Sequence, residues 1–146
     1  MRTSVPGSER GFTLLELLVV VAIIAFATAG VSLALRDTAA SELDRDAQRL
    51  AALLEAARAQ SRTSGVPVLW RPTEAGFRFD GLPTQTLPTH WLSGQTQASG
   101  AAAIVLGPEP IIGPQSVVLR SAAQPERSLR VTTDGLRPFR VGDGDS

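Results

Sequence analysis

The stretch RGFTLLELLVVV, residues 10–21, decides how this chain is read. It opens on an arginine and a glycine and then runs through apolar side chains, interrupted by the one carboxylate of Glu16. Beyond it, residues 17–35 (LLVVVAIIAFATAGVSLAL) carry no charge at all. A helix over residues 12–35 would extend roughly 36 Å and so span a hydrocarbon core of about 30 Å, with Glu16 expected in its second turn. Arg2 and Arg10 precede the segment, whereas the nearest following charges, Arg36 and Asp37, cancel. The arginine bias therefore keeps the short N-terminus in the cytoplasm and places everything after Leu35 on the other side. An acid in such a segment costs about 2.5–3.5 kcal/mol at the bilayer centre and less near the interface, so Glu16 calls for a partner or a purpose.

Two simpler readings leave that acid unexplained. A secretory signal peptide cut at Ala27-Thr28-Ala29, before Gly30, would hold Glu16 inside its apolar region, and apolar sequence continues past the cut. A plain single-pass anchor accounts for the length alone. Composition narrows the rest. Fourteen arginines balance fourteen acids, with no lysine, so no net field recruits nucleic acid or an anionic membrane to the chain as a whole. The absence of cysteine excludes disulfides, thiolate metal sites and cysteine nucleophiles. Residues 36–146 are enough for one small domain held by packing.

The N-terminal residues resemble a known family. A short basic leader ending in Gly11, followed by Phe12, Thr13, Leu14, Leu15, Glu16 and an unbroken apolar helix, is similar to the signal of type IV pilins and of the pseudopilins of type II secretion. The resemblance implies a leader over residues 1–11, removed after Gly11 by a prepilin peptidase, and methylation of the new N-terminal amine of Phe12. It implies that Glu16 is the family's acid five residues into the mature chain. An α-amine with a reference pKa of about 7.7–8.0 is expensive to leave charged and unpaired at the edge of an apolar bundle, and Glu16 can neutralise it. If the amine belongs to a neighbouring subunit, the pair sets the axial register of packed helices. Many pilins also kink their membrane helix at a proline; here Leu33 stands near that place.

Residues 37–64 are rich in Ala, Leu, Arg and Glu, with Leu43, Ala47, Leu50, Leu54 and Ala57 spaced as one apolar helical stripe. Glu42, Asp46, Arg49, Glu55, Arg58 and Arg62 fall on the other faces, where pairs three or four apart are expected to keep that side solvated. Gly65 and Pro67 close the helix. Its continuity with the apolar segment stays open, because Ser41-x-x-Asp44 offers a cap-like start and Gly30 or Asp37-Thr38 a bend. A helix packing on its own sheet is the expected use of the stripe. After Gly65 the pattern alternates in short runs broken by Pro and Gly, which predicts antiparallel strands over residues 66–71, 76–80, 102–106, 116–120, 128–133 and 137–141. Phe77 and Phe79 share a face, Asp134-Gly135 reads as a tight turn, and residues 82–99 read as a long loop around Trp91. The fold class expected is α+β and pilin-like: a long N-terminal helix, membrane-spanning in its first half, with an amphipathic helix over residues 36–64 and an antiparallel β region over 66–146. The wording of the tail (GFRFDG, HWL, LGPEPIIGPQSVVLR, SLRVTTDGLRPFRV) is most similar to the minor pseudopilin H group of type II secretion.

No catalytic constellation is present. His90 is the one histidine, Glu109, Asp143 and Asp145 lack the order of a calcium loop, and no phosphate-binding glycine motif or nucleophile elbow occurs. The chain is expected to be no enzyme and to need no cofactor or metal. Arg120, Arg127, Arg130, Arg137 and Arg140 form one basic concentration. It reads either as outward strand positions, which is favoured, or as a DNA footprint of the kind the minor pilins of natural transformation imply. Against DNA, the run ends in Gly-Asp-Gly-Asp-Ser and lacks the arginine tail motif of that pilin group. The resemblance therefore implies a minor pseudopilin of the type II secretion pseudopilus tip, with other pseudopilins, the prepilin peptidase and the inner-membrane assembly platform as partners. It implies an inner-membrane protein with a periplasmic domain, and a DNA-uptake pilin is the alternative.

Overall fold

The structure, a computed structural model, describes residues 12–83, 86–100 and 103–144, with the backbone alone at Leu33 and Arg36. Residues 1–11, the start of the expected 102–106 strand and Asp145 lie outside the described residues. Among the described residues there is one helix, α1 (Leu14–Ser64), and then seven strands: β1 (Leu69–Thr73), β2 (Gly76–Asp80), β3 (Thr96–Ser99), β4 (Ile104–Val105), β5 (Gln115–Ser121), β6 (Gln124–Thr133) and β7 (Arg140–Asp143). The α+β class is as expected. The chain divides into two units, Met1–Leu35 and Arg36–Ser146, each taken by itself below.

In the second unit the apolar stripe is buried as its spacing predicts: Leu43, Ala47, Leu50, Leu54 and Ala57 join Val68, Trp70, Ile104, Val117, Leu119 and Val131 in one core. All strand pairing is antiparallel, in two sheets ordered β2-β1-β4 and β3-β5-β6-β7. Strand alternation aims Val117 and Leu119 of β5 and Leu129 and Val131 of β6 inward. Phe77 meets Trp70, Phe79 and Trp91 with ring centroids 6.1, 5.9 and 4.6 Å apart, in tilted or edge-on geometries that favour aromatic contact. One side chain joins the two sheets. The Gln115 amide accepts from Val105 N–H (2.7 Å) and donates to Val105 C=O (2.8 Å), so at the edge of β4 it takes the place of a neighbouring strand.

Gly65 ends α1 in the left-handed region at φ 69°, its N–H donating to the Ser61 carbonyl, which satisfies a terminal carbonyl. Ser41 does not start a new helix. Its hydroxyl donates to the Asp37 carbonyl one turn back, inside α1.

Four expectations are corrected. The 82–99 stretch is not all loop, because residues 96–99 form β3 on the edge of the larger sheet. Asp134-Gly135 is not a two-residue turn. β6 and β7 are joined through residues 134–139, where Asp134 accepts from the N–H groups of Leu136 (2.9 Å) and Arg137 (2.7 Å) and Phe139 turns into the core. Gly135, at φ 89°, passes so close to the Ile112 carbonyl that no side chain fits there.

The third correction concerns the charged faces of the helix. Asp46 and Arg58, read as solvated, are 1 % and 2 % exposed. The Asp46 carboxylate accepts from Leu92 N–H (2.7 Å), Ser93 N–H (3.2 Å) and the Thr96 hydroxyl (2.7 Å). Arg58 donates to the Gly135 carbonyl at 2.7 Å, and Glu55 beside it accepts from Phe139 N–H at 2.9 Å. Arg49 and Arg62 donate to the carbonyls of His90 and Pro110. Loop backbone has no ladder to satisfy it, and here the helix's carboxylates take its N–H groups while the guanidiniums take its carbonyls.

Candidate functional site

The fourth correction lies at the start of α1. Helical hydrogen bonding begins with Leu17 N–H to the Thr13 carbonyl (3.2 Å), and the Thr13 hydroxyl accepts from Glu16 N–H (3.2 Å). Thr13 is therefore the N-cap and Glu16 the third helical residue, in the first turn instead of the second. Thr13-Leu14-Leu15-Glu16 has the spacing of a capping box, a signal present in the sequence that the reading of the stretch as membrane helix passed over. An acid in the first turn also complements the partial positive charge at a helix N-terminus. That accounts for the backbone of Glu16, and its carboxylate remains: among the described residues it has no hydrogen-bond or ion-pair partner.

From Leu17 onward the described side chains of the first unit are apolar apart from Thr28 and Ser32, and nearly all are exposed. Phe12, Leu14, Leu18, Ile23, Ile24 and Phe26 are all exposed. The segment is long and apolar enough to cross a membrane, and its most apolar stretch is not buried. Within it the Thr28 hydroxyl donates back to the carbonyls of Ile24 (3.0 Å) and Ala25 (2.9 Å), so it needs no water. A side chain at Gly30 would meet nothing within 4 Å, so packing within this chain does not require the glycine. A helix hydrophobic all round has to be covered by lipid or by other helices.

The remaining candidates from the sequence do not gather into a site. His90 is exposed and offers its carbonyl to Arg49. Glu109 and Asp143 are exposed, and among the described residues no group of three metal-ligating side chains occurs. The five arginines separate. Arg127 is bound to Asp44 (3.0 Å) and Arg137 to Asp134 (3.7 Å), and Arg130 donates to the Gly144 carbonyl (2.7 Å). Arg120 and Arg140 are exposed. On the outward face of the larger sheet Arg120, Arg130 and Arg140 step diagonally from β5 to β7, since Arg120 lies opposite Ser128 and Arg140 opposite Thr132, each two residues from Arg130. Asp134 is held below the ordinary carboxylate range, first by the Arg137 N–H, then by the Leu136 N–H, with smaller help from the charges of Arg137 and Arg140.

Comparison with known families finds the prokaryotic N-terminal methylation motif over residues 7–32, which contains Gly11, Phe12, Thr13 and Glu16. No curated protein and no solved structure matches the chain. The motif is a type IV prepilin-like signal. It supports a pilin- or pseudopilin-like protein, anchored by its apolar helix and assembling with other pilin-like subunits.

Proposed function

We propose that this protein is a minor pseudopilin of a type II secretion system, working by assembly instead of catalysis. The observation that carries the reading is the combination at the helix start: within the methylation motif, the cap at Thr13 leaves a Glu16 carboxylate with no partner among the described residues, ahead of an uncovered apolar helix. In this reading the prepilin peptidase removes residues 1–11 after Gly11, and the exposed amine of Phe12 is methylated. Glu16 then meets such an amine, its own or a neighbour's, as the apolar helices leave the inner membrane for the core of a short periplasmic filament. A carboxylate and an ammonium that are each unfavourable alone in apolar surroundings become compatible as a pair, which makes one axial register preferable to the others. Residues 36–146 form the periplasmic domain, next to other minor pseudopilins near the tip.

A DNA-uptake pilin is the second reading, favoured by the diagonal Arg120–Arg130–Arg140 row, whose three arginines have no ion pair among the described residues. Deletion and complementation in the source bacterium separate the two. Loss of protein secretion with transformation intact supports the secretion role. Loss of transformation with secretion intact, together with duplex DNA binding that weakens with salt at a log–log slope near −0.9 per phosphate contact, replaces it with the second.

A further inference from the structure

We propose that β3 is an acceptor edge: in the groove beside Trp91 its free side takes an extended segment of another protein by strand addition, with an apolar side chain on Trp91 and a cationic one facing Glu74. The inference concerns the second unit alone and stands whether or not the secretion reading holds.

The geometry follows from the register. β3 is the outermost strand of the larger sheet, with Gln97 opposite Arg120 and Ser99 opposite Val118. Ala122 N–H donates to the Gln95 carbonyl (2.8 Å), which makes that pair a hydrogen-bonded one. Antiparallel pairs alternate, so Gln97 and Ser99 turn their backbone groups toward β5 while Thr96 and Ala98 turn theirs away. Thr96 N–H donates to the Ser93 carbonyl (3.3 Å). The Thr96 carbonyl and both backbone groups of Ala98 then form a short row of ladder positions with no backbone partner among the described residues.

A groove of about 590 Å³ lies along this row. Its far wall is the end of β1 with the turn after it, at Pro72, Thr73 and Glu74. That wall cannot zip onto β3 at Pro72, which has no N–H to give, so the row stays open to a third strand. Trp91, half-buried with its ring on Phe77, offers an apolar surface in the groove. Glu74 is exposed and has no ion pair among the described residues, whereas nearby Arg71 and Arg78 are both bound to Asp80. An uncompensated acid next to an aromatic surface and an open edge selects an extended, alternating apolar and cationic segment. A second copy fits less well, because its own free edge strand, β7, carries the acid Asp143 beside its single arginine, Arg140, and so complements Glu74 less than a segment with cations alone.

The test uses the full chain in detergent and a capped hexapeptide of alternating valine and arginine, followed by NMR at the Ala98 amide and the Trp91 indole. Saturable binding with shifts centred on those two groups is expected, weakened at least about tenfold when the peptide backbone is N-methylated or when its arginines are replaced by glutamates. Ala98→Pro removes one free-edge donor without touching the bonds to β5, and it is expected to weaken binding to a similar degree. If that variant does not fold, the peptide comparisons decide. The proposal is overturned if no saturable binding occurs, if N-methylated and unmodified peptides bind equally, or if the protein instead self-associates through β3 in a way that Ala98→Pro abolishes.

Discussion

The two halves of α1 are built from similar aliphatic residues and treated oppositely by the fold. Leu18 is 64 % exposed and Leu54 fully buried, although both are helical leucines. What differs is the company they keep. Around Leu54 apolar residues recur at every third or fourth position among charges, so one stripe meets the sheets and the polar faces hold loops. Around Leu18 the apolar side chains fall on every face of the helix and stand exposed. The first half of the helix is written for partners outside the chain, the second for partners within it.

The sharpest way to break this contrast is at the one acid of the outward-looking half. Glu16→Leu is expected to leave membrane insertion and leader removal intact and to abolish incorporation into filaments, read by crosslinking with other pilin-like subunits; normal incorporation would remove the role proposed for the residue. Next in size is a matched pair of truncations. Leu54→Ala is expected to cost about 2–5 kcal/mol of stability, and Leu18→Ala less than about 0.5 kcal/mol, in urea denaturation of the detergent-solubilised chain followed by the fluorescence of buried Trp70. Equal costs would contradict the division. Asp46→Ala sharpens the inward half: it leaves two N–H groups and a hydroxyl unpaired, for an expected loss of about 3 kcal/mol, and hydrogen exchange should quicken at Leu92 and Ser93 first.

The smallest effect is that of Asp134. Its carboxyl is held below the ordinary value of 3.8, so its contribution is complete at pH well above that value and fades as pH falls below it through the depressed folded value. The stability difference between the parent and Asp134→Asn should therefore be constant from neutral pH to about pH 5 and vanish in stronger acid. A difference that grows on acidification would contradict the two backbone hydrogen bonds to that side chain.

Period was legible in the sequence where its amplitude was large. Leu43 to Ala57 gave the stripe, and Val117, Leu119, Leu129 and Val131 gave the inward faces of the two long strands, because a wrong register there would expose a whole apolar set. β3 is not legible because Thr-Gln-Ala-Ser alternates weakly: Thr96 and Ala98 point inward, yet neither is strongly apolar. The burial of Asp46 and Arg58 is not legible because helical spacing tells where a charge sits on the helix, not what chain passes over it. Their burial is set by the irregular segments around residues 92–96 and 134–139, whose backbone groups need partners from elsewhere. The bridging of two sheets by Gln115 depends on a contact ten residues away that no local pattern announces. At the N-terminus both the acid and the capping-box spacing from Thr13 to Glu16 are legible, but a helix taken to begin at Phe12 puts Thr13 inside it and hides the cap.

The central claim is that the Glu16 carboxylate stands free to meet an amine created by cleavage. Intact-mass measurement of the protein taken from its assembled, membrane-derived form tests it most directly. The account predicts a chain beginning at Phe12 and carrying one added methyl group. A mass that still includes residues 1–11, or that places the cut after Ala29, would contradict it.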